Sequence, residues 1–273
     1  MALETRLRSH VDELATKIGE RNPEHPWELA SASDYVAAQF ESFGFPVERN
    51  GYEVAGVAAQ NLAVTLPGAE LGEEVVLVGA HYDSRRGDRG ENDNATGVAA
   101  LLELSRLFRE AKSSRTLRLV AFAVSSPPFA GGDDMGSARY AKHLAEGAER
   151  VVGMINLDRI GSLGAGTGQG EARVRLGAAP GAADLSGRLA GELGGEPLVI
   201  DSFSLDGAPT SDHWAFAKQG IPAVWISGGG ASEQVDFDAM TRLVMRLRFA
   251  LAEVLGEQPT NDGMLTPDMG LVR

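Results

Sequence analysis

The sequence predicts an α/β protein in which helices cover both faces of a mostly parallel sheet. Short apolar runs typical of central strands alternate along the chain with segments whose apolar residues recur at helical spacing. Such alternation is the pattern of crossover connections between parallel strands. At 273 residues, of which 43% are hydrophobic, the chain is long enough to bury a large core. We therefore expect a single domain over residues 1–273.

Each element follows from its local pattern. Residues 1–50 contain two amphipathic segments, 7–18 and 30–43, that should pack on the sheet as helices. Short apolar runs downstream predict strands at 61–66, 74–80, 117–124, 151–157, 172–176 and 223–227. The helices predicted between and after them cover 95–110, 135–146, 183–193, 211–218 and 236–255. The glycine-rich stretch 161–170 is expected to be a surface loop, and residues 258–273 a loose tail.

Composition excludes several classes of partner and ligand. Acidic residues number 38 against 25 basic ones, and the sequence has no Lys/Arg-rich run, so neither nucleic acid nor an anionic membrane is an expected partner. Cysteine is absent, which leaves His, Asp and Glu as the strong metal ligands. No apolar run approaches the roughly 18 residues of a membrane span, and the N-terminus has no apolar signal core. A cytoplasmic protein is therefore expected.

Polar side chains follow the predicted strands at the edge of the sheet where ligands collect in folds of this kind. His81 and Asp83 come just after one strand, Asp158 comes directly after another, and Asp93 precedes a helix. One imidazole and two carboxylates make a reasonable zinc site, with Asp83 as an outer carboxylate that holds the imidazole. Each residue also has a structural explanation, since Asp93 could cap the helix, Asp158 could end its strand, and a lone His is usually structural.

Longer motifs connect these residues to a known family. The segments are VVLVGAHYDSRRGDRGENDNATGVAALLELSRLF, LRLVAFAV, MGSARYAKHL, VVGMINLDRIG and SDHWAFAKQGIPAVWI, in that order. They resemble the co-catalytic di-zinc aminopeptidases, metallopeptidase family twenty-eight, which also contains the glutaminyl cyclases. The resemblance runs from residue 18 to the last predicted helix, and HYDS…GENDNATG is its most specific part. It implies a three-layer α/β/α sandwich around a mixed, mainly parallel sheet.

The resemblance also implies roles for individual residues. His81 would ligate one metal, Asp93 would bridge two metals, and Asp158 would complete the ligand set of the first. Asp83 would orient His81. Active members carry a Glu-Glu pair after the strand that here ends in VAFAV, the first as general base and the second as ligand of the other metal. Here the pair is Ser125 and Ser126, followed by Pro-Pro-Phe as in the closest subfamily pattern.

A second departure affects the same metal. The family's last ligand is a His in the loop before the final helix, but residues 227–237 contain no His. His213 matches a position that is not normally a ligand and is a candidate substitute. Ser211 or Asp212 is expected to cap the helix that follows. Ser125 is a poor candidate nucleophile, because no GxSxG elbow surrounds it and no neighbouring His is identifiable.

These losses predict a degenerate, catalytically impaired protein with the aminopeptidase fold that binds at most one zinc ion, or none. Its use would be to bind a peptide or amino-acid-like ligand. One alternative is a working mono-metal hydrolase that draws its base from His213, Asp133, Asp134 or Glu233. Another alternative is a non-catalytic scaffold protein. Deliberate replacement of two glutamates by Ser125 and Ser126 would also abolish activity, but it would not explain the missing His in the later loop. The sequence features do not specify an oligomeric state.

Overall fold

The fold is built on one mixed β-sheet. The computed structural model describes residues 1–165, 171–205, 211–228 and 234–257. Its strands are β1 (Glu48–Val54), β2 (Val57–Leu66), β3 (Leu71–His81), β4 (Arg115–Phe122), β5 (Arg150–Asp158), β6 (Gly164–Ala165), β7 (Ala172–Ala178), β8 (Leu198–Ser204) and β9 (Ala223–Gly228). Their order across the sheet is β1-β2-β4-β3-β5-β9-β7-β6, and β8 pairs with β7.

The centre of the sheet is parallel and its flanks are largely antiparallel. β4, β3, β5 and β9 run parallel to one another, whereas β1, β2 and β6 pair antiparallel with their neighbours. In the central register His81 lies opposite Phe122, and Asp158 lies opposite Ser227. The carboxyl ends of the parallel strands therefore meet at one edge, as the mixed, mainly parallel sheet expected from the sequence requires.

Helices cover this sheet. They are α1 (Leu3–Val11), α2 (Pro26–Ser42), α3 (Thr96–Phe108), α4 (Gly136–Glu146), α5 (Ala183–Leu193), α6 (His213–Lys218) and α7 (Phe237–Leu255). α1 continues as a π-helical segment, Asp12–Ile18, and packs on α3 and α7, while α2 packs on β2. A continuous cluster of buried apolar side chains extends from Leu7 to Leu255. No helix among the described residues has the length and apolarity needed to cross a membrane.

The differences from the predicted elements have local causes. The strand predicted over 117–124 stops at Phe122, because Val124 has a φ of 56°. The helix predicted over 95–110 ends at Phe108. β1 and β8 were not predicted. Of the predicted loop 161–170, Gly164 and Ala165 form β6, whereas 166–170, Glu233 and the expected tail at 258–273 lie outside the described residues.

Arg21 is a buried cation that ties the N-terminal helices to the sheet edge. It is 0% exposed, and burial lowers its pKa to about 10, so it stays charged at neutral pH. Arg21 Nε donates to the Tyr82 carbonyl at 2.6 Å, and Nη2 donates to the Gly90 carbonyl at 2.9 Å. The remaining guanidinium contacts are with the carbonyls of Leu14, Gly19 and Arg89. Arg21 thus fixes the chain on either side of the loop that joins β3 to α3.

We expect Arg21→Met to lower the free energy of unfolding by about 3 kcal/mol or more, because several buried carbonyls lose a charged donor at once. Urea unfolding followed by circular dichroism measures the change. Arg86→Met is the matched control, since that side chain is 78% exposed and pairs with Glu24 at the surface. Its effect should stay below about 0.5 kcal/mol. Equal effects of the two substitutions would contradict an anchoring role for Arg21.

Candidate metal centre

Three metal-ligating side chains come together at the carboxyl ends of two parallel strands. His81 ends β3, Asp158 ends β5, and Asp93 lies in the segment Glu91–Ala95 that leads into α3. One ligand atom of each residue lies within 4.8 Å of the other two. His81 Nε2 is 3.3 Å from Asp93 Oδ1 and 4.0 Å from Asp158 Oδ1. The structure therefore brings together the three residues that the sequence predicts as metal ligands.

The Asp158 carboxylate shows that this cluster suits a cation. Asp158 is 3% exposed, and its Oδ2 accepts a hydrogen bond of 2.9 Å from Trp225 Nε1. Its Oδ1 is buried without a hydrogen-bond partner among the described residues. A buried carboxylate oxygen is costly unless a donor or a cation neutralises it. Zinc accepts one imidazole nitrogen and two carboxylate oxygens, so the residues present fit the ion that the resemblance implies.

Asp83 connects His81 to the end of the neighbouring strand. Asp83 Oδ1 lies 3.4 Å from His81 Nδ1, and the Asp83 carbonyl oxygen lies 3.2 Å from the same nitrogen. The two carboxylate oxygens also accept hydrogen bonds of 2.9 Å from the backbone N–H groups of Ser125 and Ser126. An acceptor at Nδ1 leaves His81 Nε2 directed at the two other ligand candidates.

Asn94 holds the Asp93 segment against the end of β5. Its Nδ2 donates to the Leu157 carbonyl at 2.8 Å, and its Oδ1 accepts from the Arg159 N–H at 3.0 Å. These residues lie on either side of Asp158, so one amide side chain fixes the spacing between two ligand candidates. Gly90 permits the turn before them, because it has a φ of 61° and a Cβ there would lie 2.6 Å from the Asp93 carbonyl oxygen.

The charges in this cluster shift the pKa values of its members. Burial alone would lower the pKa of His81, but hydrogen bonds with Asp83 and Asp93 raise it well above its usual 6.5. Burial would raise the pKa of Asp93, but the contacts with His81 and Arg85 lower it. The pKa of Asp158 is raised by burial and by the charge of Asp93. Without a metal, the imidazole therefore holds a proton that compensates part of the carboxylate charge.

The second side of the site has an unexpected carboxylate. Ser125 Oγ donates a 2.5 Å hydrogen bond to Asp212 Oδ1, and Asp212 is 0% exposed. The sequence predicts that Ser211 or Asp212 caps the next helix. Asp212 does occupy the N-cap position of α6, but its side chain makes no cap hydrogen bond. The cap prediction for Asp212 is wrong, because the carboxylate reaches across to the end of β4. No spacing in the sequence signals this contact.

The other candidates for a substitute ligand or base lie elsewhere. His213 Nδ1 is 3.5 Å from Asn156 Nδ2, and its ring lies 6.0 Å from the Trp225 ring. Burial lowers the pKa of His213 to about 4, so the ring is neutral, and it is not part of the ligand cluster among the described residues. Asp133 is fully exposed near Lys218, and Asp134 accepts a surface hydrogen bond from Arg139.

Two arginines border the cluster. Arg85 Nη2 donates to Asp93 Oδ2 at 2.6 Å, so the two oxygens of Asp93 face different partners. Arg159 Nε lies 3.7 Å from Asp158 Oδ1. The side chains of Arg85 and Arg159 are 49% and 41% exposed, whereas that of His81 is 6% exposed. The arginines therefore stand at the solvent rim of a largely buried site.

A buried cluster of one His and two Asp at the carboxyl ends of parallel strands in an α/β sheet defines the chain as a candidate metal-binding α/β protein. The family is shown by sequence comparison. The model of peptidase family M28 matches residues 61–242, which is more than half of the chain. The chain belongs to this family, which confirms the resemblance drawn from its motifs.

Individual relatives agree with this assignment. The chain is 34% identical to the uncharacterized protein YfbL of Escherichia coli K12, over 57% of this chain and 49% of that protein. It is 30% identical to the aminopeptidase YwaD of Bacillus subtilis 168, over 60% of this chain and 34% of that protein. The matches thus span half or less of the length of these curated relatives.

Solved structures share the fold. BSAP, a zinc aminopeptidase from Bacillus subtilis, superposes with a TM-score of 0.74 at 14% identity, covering 92% of this chain and 95% of that one. The glutaminyl cyclase of Fimbriiglobus ruber superposes with a TM-score of 0.69 at 21% identity, covering 90% and 94%. These likenesses establish the α/β architecture expected from the sequence.

We expect Trp225→Phe to weaken zinc binding by about tenfold or more while the protein stays folded, because Asp158 loses the donor that orients it. Competition with a fluorescent zinc chelator measures the affinity. Trp27→Phe is the matched control, since Trp27 is 83% exposed and should leave the affinity unchanged. Wild-type affinity in the Trp225 variant would show that its hydrogen bond does not support a metal ligand.

The raised pKa of His81 predicts opposite pH trends for metal-free and zinc-loaded protein. In metal-free protein the charged His81 imidazolium stabilises the folded state. This stabilisation is fully present below the pKa of His81 in the unfolded chain, about 6.5, and is lost as the pH rises through the higher pKa of the folded protein. Zinc requires neutral imidazole, so its stabilisation grows over the same range. The difference in Tm between the two forms should therefore widen from about pH 6 to about pH 8. A similar widening in His81→Gln would assign the effect to another group.

Proposed function

We propose that the protein is a single-zinc member of its family that binds the amino end of a peptide or amino-acid-like ligand and hydrolyses it slowly. The observation that carries this proposal is the complete cluster of His81, Asp93 and Asp158 beside Ser125 and Ser126. The family resemblance places a base and a second-metal ligand at those two serines. By this resemblance the first metal keeps its three protein ligands, whereas the second would keep only the bridging Asp93. A cytoplasmic location stays a prediction from the sequence.

The contacts around Asp93 support one ion over two. Its Oδ1 faces His81, while its Oδ2 is engaged by the Arg85 guanidinium at 2.6 Å. The guanidinium supplies positive charge to the Asp93 oxygen that does not face His81. Ser126 offers a neutral hydroxyl, which is a poor zinc ligand compared with a carboxylate. Residues 227–237 offer no imidazole.

Each residue of the site then has a task. His81, Asp93 and Asp158 would hold the zinc ion, which when bound acts as a Lewis acid toward a carbonyl group. Asp83 fixes the ring of His81 through Nδ1, and Trp225 fixes Asp158 through Oδ2. The rim arginines place positive charge near the opening. Loss of the glutamate base alone costs on the order of 10²–10⁴ in rate, which is why we expect slow turnover.

A non-catalytic peptide-binding or scaffold protein is the second candidate. The absence of glutamate at both Ser125 and Ser126 favours it, because these positions carry the base and a ligand in the active pattern. The two candidates differ in turnover and share the zinc site. Turnover that depends on the metal ligands favours the hydrolase, whereas zinc and peptide binding without turnover favours the second candidate.

The zinc content of the purified protein tests the site directly. We expect about one zinc ion per chain by inductively coupled plasma mass spectrometry, and none in His81→Ala, because that variant loses the only imidazole of the cluster. His143→Ala is the matched control, since His143 is exposed. Slow hydrolysis of leucine p-nitroanilide should disappear in the His81 variant and persist in the His143 variant. Two zinc ions per chain, or equal zinc in both variants, would refute the proposal.

A further inference from the structure

The contact between Ser125 and Asp212 joins two distant parts of the chain at the metal site. Ser125 follows β4, and Asp212 immediately precedes α6. Ser125 Oγ donates to Asp212 Oδ1 at 2.5 Å, a length typical of a hydroxyl bound to an ionised carboxylate. Asp212 lies too deep for contact with solvent, at 0% exposure, whereas Ser125 keeps 5%. The Ser125 hydroxyl therefore joins this buried carboxylate to the end of β4.

This pair lies next to the metal cluster. The backbone N–H of Ser125 donates to Asp83 Oδ1, which in turn lies 3.4 Å from His81 Nδ1. Burial raises the pKa of Asp212, and the charge of His81 and the hydrogen bond from Ser125 oppose the rise. Asp212 is not among the described groups whose ligand atoms cluster around His81. It is therefore placed to act near the metal without binding it.

The Asp212 carboxylate does not stabilise the helix that it precedes. It does not cap α6, and its polar neighbours are the hydroxyls of Ser125 and Ser137. A buried carboxyl group in this state costs free energy, and stability alone would be served better by an uncharged side chain. A carboxylate with unused accepting capacity is what a proton acceptor needs.

We propose that Asp212, acting through the Ser125 hydroxyl, is the proton acceptor of this site in place of the missing glutamate. This inference rests on the proposed single-zinc hydrolase. Serine alone cannot serve as a base at neutral pH, and Asp212 is fully buried, with Ser125 as its hydrogen-bonded contact at the end of β4. Together they form a two-residue relay, with the hydroxyl facing the ligand and the carboxylate behind it.

The proposed step moves one proton from water to Asp212 through the Ser125 hydroxyl. An O–H bond of the attacking water breaks, and its proton passes to Ser125 Oγ as the Ser125 proton passes to Asp212 Oδ1. The water oxygen uses the freed electron pair to form a bond with the carbonyl carbon of the scissile peptide, and the π pair of the C=O bond moves onto the carbonyl oxygen. That pair re-forms the C=O bond as the C–N bond breaks, the nitrogen takes the C–N electron pair, and the proton returns from Asp212 through Ser125 to the leaving amine. No oxidant, reductant or further reactant is needed.

Proton counting with an inhibitor tests the relay without requiring turnover. Leucine hydroxamate loses a proton when it binds zinc as the hydroxamate anion. Titration calorimetry of zinc-loaded protein in buffers of different ionisation enthalpy counts the protons released to solvent. We expect Asp212→Asn to release about one proton more than the wild type, because the acceptor is gone. Equal counts, or no binding of leucine hydroxamate to zinc-loaded wild type, would overturn the assignment of Asp212.

Further variants separate the relay from a structural effect. Ser125→Ala removes the bridge, keeps the backbone N–H that binds Asp83, and should release the same additional proton even where Asp212→Asn fails to fold. Asp34→Asn, on a 77% exposed side chain, should match the wild type. Both relay variants should keep one zinc ion per chain. Loss of zinc from the wild type would refute the single-zinc site, whereas normal zinc with unchanged proton counts refutes the relay alone.

Residual hydrolysis gives a second readout. Asp212→Asn should reduce kcat/KM for leucine p-nitroanilide by on the order of 10²-fold and flatten its dependence on pH, and Asp212→Glu should recover part of the rate. A different use of the same pair would appear as a covalent adduct. If Ser125 were acylated by leucine p-nitrophenyl ester, intact mass spectrometry would detect the added leucyl group, and the relay would be replaced by a nucleophilic serine.

Discussion

The geometry of the site depends on one buried carboxylate, that of Asp83. Asp83 is 1% exposed, lies 3.4 Å from His81 Nδ1, and accepts the backbone N–H groups of Ser125 and Ser126. It thereby joins the ends of two neighbouring strands. Val124, just before this contact, has a φ of 56°, which is costly for a β-branched residue. Charge-assisted hydrogen bonds offset that cost. Because they use backbone N–H groups, residues 125 and 126 can exchange side chains without releasing His81.

Charge balance links the metal cluster to the Ser125–Asp212 pair. The carboxylates of Asp83, Asp158 and Asp212 are almost completely buried, and that of Asp93 is 15% exposed, around a single imidazole. Buried carboxylates are tolerated when cations, donors or protons neutralise them. Here the imidazolium and the rim arginines compensate part of the charge, and two carboxylates have raised pKa values. Zinc binding and proton uptake would both reduce the excess of negative charge in this region. The proposed metal site and the proposed relay are therefore linked through the same group of carboxylates.

Some of this arrangement could be predicted because it follows from local patterns. His81 and Asp158 end apolar runs, and the ends of parallel strands meet at one edge, so their proximity follows once the alternation of strands and helices is recognised. β1 was missed because it is an edge strand held by backbone pairing, and its exposed faces need no apolar alternation. Asp212 was assigned to a helix cap because its position is right for one; its side chain makes a longer-range contact instead.

The fold class, the family and the metal-ligand candidates can be inferred from the sequence, because they follow from hydrophobic periodicity and from motifs of neighbouring residues. The sequence also located the replaced glutamates at Ser125 and Ser126. The contacts of Arg85 with Asp93 and of Asp212 with Ser125 depend on how the chain packs in three dimensions. Asp212 is separated from Ser125 by 87 positions, and no local spacing encodes such a contact. Packing of α6 against the sheet sets it, since burial forces the carboxylate toward the nearest available donor.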